Sequence, residues 1–376
     1  MRTFEAECLA LARTLVAIDS RSAVSNLPVA DAIEAELAGF EIERLDYADA
    51  AGVAKRALVA HRGPPGGLAF SGHMDTVPAT GWQDDPWNAR VIDGVLHGLG
   101  SADMKGPVAA AIVAARTLPP DTPVTLLITT DEETTKRGAR VIAERSVLAR
   151  KSRIPCILVV EPTRMRPIRG HRAHILFTAV ATGVQAHSST GLCRNANWDL
   201  VPFLADMRLI FERLRRDPTL QDPAYDPPFS DFNLVIDNHA TAVNVSVPVA
   251  TAAIKFRYSA SLNPAPVIAA VEEAAARAGV ALTKATEGHP PELSIDHPFV
   301  RLCVDVVGAP ATVAPYGTDA SRLQELAPCV ILGPGDIAVA HKAGEFISVA
   351  EIADAVPVFM RLAQHVASGV ADVPAL

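Results

Sequence analysis

Cysteine is scarce and scattered in this chain. Five occur among 376 residues, at Cys8, Cys156, Cys193, Cys303 and Cys329. The count is odd and no C-x-x-C is present, which speaks against a disulfide framework or a zinc–thiolate site and fits the reduced thiols of a cytoplasmic protein. Cys156 and Cys329 lie inside apolar runs and read as buried core thiols. Long apolar runs are missing too, since none approaches the roughly 20 residues of a membrane helix. Glu5 and Glu7 stand where a secretory leader needs an uninterrupted apolar stretch, so none is expected. Positive charge is neither in excess nor clustered: 34 Lys and Arg against 42 Asp and Glu leave −8. That argues against nucleic acid or an anionic membrane as partner and mildly favours cationic or small-molecule substrates. H-E-x-x-H, G-x-S-x-G and a nucleophilic-cysteine signature are also absent, which removes three common hydrolase designs.

What is present is enough apolar material, 49% of the chain, for a sizeable core, in a length comfortable for two domains. Residues 4–18 and 28–39 repeat apolar positions at helical spacing. From about residue 56 the pattern changes to short apolar runs that end in turn or acidic residues. Leu68-Ala69-Phe70 leads into Gly72-His73, Val124 to Ile128 into Asp131-Glu132-Glu133, and Ile157 to Val160 into Glu161. Helices are expected between them, over about 106–117 and 136–149. Cys329 to Leu332 repeats the pattern and leads through Gly333-Pro334-Gly335 towards His341. This alternation predicts an α/β fold: a mostly parallel sheet with helices on both faces, binding ligands at the carboxyl edge of its strands. The middle third reads as β-α-β-β-α-β, with strands at 175–182, 231–236, 241–258 and 280–286 and helices at 196–214 and 264–279. It is an α+β unit inserted into the first. The expected domains are therefore 1–172 with 288–376, and 173–287, with Pro223, Pro227 and Pro228 marking a loop inside the insert.

The acids and histidines at the strand ends carry the chemistry. His73-Met74-Asp75, Asp103, Glu132-Glu133, Glu161 and His341 mix imidazole and carboxylate in proportions that suit zinc-like ions, with one carboxylate able to bridge two. Each alone has a plainer reading. Asp75 would simply fix a histidine two residues away, and Asp103 would cap the following helix. The Glu pair would charge a helix start, although that explains one acid better than two. Two adjacent carboxylates beside a buried strand are unfavourable unless something neutralises them. Their joint occurrence at several strand ends is what points to hydrolysis by a metal-activated water.

Ser71-Gly72-His73-Met74-Asp75-Thr76-Val77-Pro78, Gly98-Leu99-Gly100 through Asp103-Met104-Lys105-Gly106, Thr130-Asp131-Glu132-Glu133 and Glu161-Pro162-Thr163 resemble, in order, the metal motifs of the M20 family of metallopeptidases and deacylases. Gly183 through His187-Ser188-Ser189 and Gly333 through His341 complete an order that spans nearly the whole chain. Within the family the likeness is greatest to the acetylornithine deacetylase branch, in Glu161-Pro162-Thr163, His171-Arg172-Ala173-His174 and the Gly333 loop. The resemblance implies two Zn2+, with Co2+ or Mn2+ as substitutes. His73, Asp103 and Glu161 would hold one ion and Asp103, Glu133 and His341 the other. It implies Asp75 behind His73, Glu132 as general base, and a cis peptide after Asp103. It also implies a homodimer through the insert, with His187 reaching the partner's site, Asn244 assisting, and Arg257 and Gly335 at the substrate. The implied reaction is removal of an acyl group, acetyl first, from an N-acyl amino acid such as N-acetylornithine, in arginine biosynthesis. Acetylcitrulline, succinyl-diaminopimelate and dipeptides are alternative substrates, and a non-catalytic amino-acid-binding protein is the rival of another class. The sequence departs from the family pattern at Ser246-Val247-Pro248, at Ala173, and at Lys136-Arg137, where relatives are less basic.

Overall fold

The structure is a computed structural model that describes residues 2–369. The chain divides into two compact units. The first holds everything up to Gly170, Pro291–Val313 and the chain from Thr318 on; the second holds His171–Pro290 and the short return segment Ala314–Gly317, which nothing in the sequence pattern marks.

An eight-stranded sheet organises the first unit, in the order Glu41–Ala48, Ala54–Arg62, Val124–Thr129, Leu68–His73, Ile157–Val159, Cys329–Ile331, Ile168–His171, Thr312–Ala314. The middle four of these, from Val124–Thr129 to Cys329–Ile331, run parallel. Antiparallel strands flank them on both sides. Alternate residues explain the near-continuous apolar runs. Leu68, Phe70, Leu126, Ile128, Leu158 and Val160 enter one core with helices Arg2–Val16, Gly106–Thr117, Pro298–Val307 and Val349–Ala367. Ala69, Leu127, Ile157 and Val159 are equally buried but point to the other face. Helices Arg137–Arg145 and Ala320–Leu323 pack against strands of this sheet as well.

One expected helix is corrected. The 136–149 segment is two helices, Arg137–Arg145 and Val147–Lys151, because Ser146 starts a new one. Its hydroxyl accepts from Ala149 N at 2.9 Å, and Glu43 accepts from the Val147 and Leu148 N–H groups at 3.1 and 3.0 Å. Those donors are satisfied from outside the helix, so the chain can turn there.

The second unit contains a four-stranded antiparallel sheet in the order Asp231–Asp237, Val249–Tyr258, Ala173–Thr182, Ala281–Thr286. Helices Asn197–Arg216 and Ala265–Ala278 pack together over one face, burying Phe177, Phe203, Ile254 and Phe256. Burial alternates strictly along Val249–Tyr258, so the other face is left open. The strand expected from 241 begins only at Val249. Before it, Val247 and Pro248 give their carbonyls to the Ala196 and Gly183 N–H groups, and Val245 bridges to His187, so these residues serve loops.

Candidate metal centre

Parallel pairing brings strand ends to one edge of the sheet. His73 closes its strand opposite Thr129, and Asp131 to Glu133 follow the strand that Thr129 ends. Glu161 follows Ile157–Val159, Asp103 precedes helix Gly106–Thr117, and His341 follows the turn Ile337–Val339. His73 Nε2 lies 3.1 Å from Asp103 Oδ1 and 4.0 Å from Glu161 Oε1. His341 Nε2 lies 3.3 Å from Asp103 Oδ2 and 3.0 Å from Glu133 Oε1. Asp103 thus turns one oxygen to each histidine. The groups His73–Asp103–Glu161 and Asp103–Glu133–His341 each offer three ligand atoms within 4.8 Å of one another. The Asp103–Met104 peptide bond is cis.

Main-chain hydrogen bonds aim these side chains. His73 Nδ1–H donates to the Asp75 carbonyl at 2.9 Å, while the Asp75 carboxylate stands off at 3.6 Å. The carbonyl replaces the carboxylate expected from sequence, and either leaves Nε2 free for a metal. The Asp75 carboxylate instead accepts from Ser22 Oγ at 2.7 Å and from the Glu132 and Glu133 N–H groups at 3.2 and 3.3 Å. It therefore fixes the segment bearing both glutamates. Glu345 does the same for Asp103, accepting from Ala102 N at 2.8 Å and Asp103 N at 3.0 Å. The Glu pair is not extended, as the alternation argument requires, but sits in a turn closed by Thr135 and Lys136 N–H donating to Asp131 O at 2.9 and 2.7 Å. That turn separates the two side chains. Glu133 meets His341, and Glu132 Oε1 accepts from Lys136 Nζ at 2.5 Å.

The electrostatics show what the cluster wants. Burial, then the Asp103 charge, pushes the Glu161 carboxyl well above the usual range. Burial raises Glu133 to about 7 even against its bond to His341. Burial alone would raise Asp103 and lower His73. The His341 and His73 bonds nevertheless carry Asp103 below the ordinary carboxylate range, and Asp103 and Glu161 carry His73 well above the imidazole range. Bonds to Asp103 and Glu133 take His341 to about 11. Without cations the acids must hold protons or borrow charge from histidines. Oxygen and imidazole donors with one shared carboxylate fit divalent cations of the zinc type, which would supply that charge.

Gly333 and Gly335 hold the Glu161 end of the site in place. A Cβ on Gly333 would fall 2.3 Å from Val160 O and 2.6 Å from Glu161 O. Gly335, at φ +88°, has room for no Cβ between Ile347 Cδ1 at 2.9 Å and Pro162 Cβ at 3.3 Å. Gly333→Ala is expected to destabilise the protein by about 1–3 kcal/mol and to lower its metal content, read by thermal unfolding and elemental analysis. An unchanged metal content would show that the Glu161 loop tolerates displacement.

The structure places the remaining sequence candidates in the second unit. His187 is exposed, with Nδ1 2.8 Å from Ser189 Oγ. Asn244 lies in a turn, its carbonyl accepting from Ser188 N–H at 3.0 Å. Arg257, on the open sheet face, donates to Asp231 Oδ2 at 2.8 Å. Sequence reasoning missed Asp319 and Glu345, both buried in the first unit and raised to about 7 chiefly by burial. Their signal was an acid between a glycine-bearing turn and an apolar segment, easily taken for a helix cap.

A parallel-centred α/β sheet whose edge gathers two linked groups of acids and histidines able to hold metal ions is the framework of a metal-dependent hydrolase. The comparisons make this specific. The model of "Peptidase family M20/M25/M40" matches residues 69–365, and the chain belongs to that family. It is 31% identical to acetylornithine deacetylase of Myxococcus xanthus over 94% of this chain and 96% of that protein. It is 32% identical to acetylornithine deacetylase of Proteus mirabilis over 84% of each. A di-peptidase of Saccharomyces cerevisiae shares the fold, with a TM-score of 0.75 at 12% identity over 98% of this chain and 97% of that one. So does a dinuclear metal binding peptidase of the M20 family from Bacillus subtilis, at TM-score 0.64, 16% identity and full coverage of both chains. This chain is accordingly a metal-dependent hydrolase acting on amide bonds.

Proposed function

We propose that the protein is a cytoplasmic di-zinc deacylase that removes the acetyl group from N-acetylornithine, a step of arginine biosynthesis, and that it works as a homodimer. The observation that carries this is the pair of ligand groups sharing Asp103, with Glu132 beside them but outside both. The names of the curated relatives support the substrate, and five free cysteines, four of them buried, suit a reducing compartment.

His73, Asp103 and Glu161 would hold one ion and Asp103, Glu133 and His341 the other. Bound there, zinc (or cobalt or manganese) would acidify a water and polarise the amide carbonyl. Glu132 takes the proton of the attacking water and returns it to the leaving amine, which makes C–N cleavage feasible. Asp75 keeps the Glu132–Glu133 turn and the His73 loop in register. Arg257 meets the substrate carboxylate through its planar fork, exchanging Asp231 for it. His187, contributed across the dimer, donates to the oxyanion with Asn244 assisting, and the Gly335 turn lines the substrate. The second unit has a surface for such a dimer: the edge strand Asp231–Asp237 exposes Leu234, Val235 and Ile236 in succession.

The test is hydrolysis of acetylornithine, acetylcitrulline, succinyl-diaminopimelate and simple dipeptides by protein of known metal content. Acetylornithine is expected to lead in kcat/KM by roughly tenfold or more, the low end of what differential transition-state binding gives between related substrates. Preference for a succinyl substrate or a dipeptide would reassign the acyl pocket. No turnover with two metals bound would make the chain an amino-acid-binding protein.

A further inference from the structure

Lys136 stands where the backbone favours a different residue. Its φ of 52° and ψ of 30° are left-handed, a region that Gly or Asn enters more readily than a long side chain. The conformation closes the turn through Lys136 N–H to Asp131 O at 2.7 Å. The lysine side chain reaches back over that turn to Glu132. The residue is 6% exposed, and its ammonium stands 2.5 Å from Glu132 Oε1. The same positive charge acts on the buried Asp319. A buried cation needs a matched partner, and Glu132 is one.

Glu132 shares its turn with Glu133, whose carboxylate is in a ligand group. A second carboxylate one residue away, free to rotate, is a rival ligand for the same cations. We infer that Lys136 is a positioning residue that holds the Glu132 carboxylate off the metal ligand set and so keeps it available to the attacking water. This rests on the reading of Glu132 as base.

The test is a double-mutant cycle on Zn2+ affinity, read by competition with a chromogenic chelator on the metal-stripped full-length protein. Lys136→Met, Glu132→Gln and the double variant are compared with the parent; Lys136→Gln replaces Lys136→Met should the latter lose its fold. Loss of the lysine charge alone changes zinc affinity equally with or without Glu132, because fixed charges act additively. Release of Glu132 onto zinc does not. Lys136→Met is therefore expected to tighten zinc binding at least about threefold more when Glu132 is present. On the best substrate, kcat of Lys136→Met should fall roughly 10- to 100-fold with KM little changed, and Lys136→Arg should recover most of it. Additive zinc affinities overturn the inference, and so does an unchanged kcat. If the parent hydrolyses nothing in the substrate panel, the proposed function fails while the zinc cycle still decides the role of Lys136.

Discussion

Glu132→Ala is expected to keep two metals per chain and to lose turnover by roughly 10²–10⁴-fold, the range of a positioned general base. Glu133→Ala should instead keep one. The two residues are adjacent, so their separation is a demanding test of the assignment. It follows from the turn: Glu133 Oε1 is 3.0 Å from His341 Nε2, whereas Glu132 faces Lys136 and belongs to neither ligand group. Glu132→Ala leaves Lys136 without this partner, so a lower Tm is expected as well; Glu132→Gln keeps a hydrogen-bond acceptor there and controls for it. Metal content by elemental analysis and kcat on the best substrate decide the matter. Substantial activity in both variants would move the base elsewhere. Asp319 would then be the next candidate, being buried with an Oδ1 that has no hydrogen-bond partner.

The parts of this site that were legible in the sequence are those where local pattern and chemistry coincide. His73, Glu133 and Glu161 end apolar runs, and an acid or imidazole at the edge of a buried strand demands an explanation from sequence alone. The central parallel strands were legible for the same reason. The antiparallel strand Glu41–Ala48 was not, because only Leu45 in it is buried and its place is set by pairing with Ala54–Arg62. Nor was the small sheet in which the hairpin Arg90–Ile92 and Val95–His97 takes Phe346–Ser348 from the far end of the chain, because its strands are three residues each. The Glu132–Lys136 pair was hidden differently. At four residues apart it looks like a helical surface pair, yet a turn makes it and buries it.

The second large effect concerns metal removal. Chelation should abolish turnover, and it should also reverse how stability depends on pH. Burial chiefly raises Glu133, Asp319 and Glu345 to about 7 in the folded, metal-free protein, against about 4 in an unfolded chain. Between those values the folded state binds more protons than the unfolded one, so stability falls as pH rises through this window. Shifts of this size are worth roughly 3–4 kcal/mol for each of Asp319 and Glu345. His341, raised to about 11, contributes stability that is fully present below about 6.5 and is lost only above this window. Burial lowers Lys105 to about 7, so it is charged in both states below that and opposes the trend only above it. Asp103, held below its ordinary range, matters only in stronger acid. With zinc bound the sign inverts: the ligands must be deprotonated and acid expels the metal, and positive charge beside His73 and Asp103, whose charges already act on Asp319 and Glu345, lowers those two as well. Melting curves in chelator should therefore show Tm falling by roughly 5 °C or more from pH 5 to pH 7, while curves in excess zinc rise over the same interval. Parallel curves would mean that the cations do not neutralise these acids, and the reading of Asp103 as a shared ligand would fall with them.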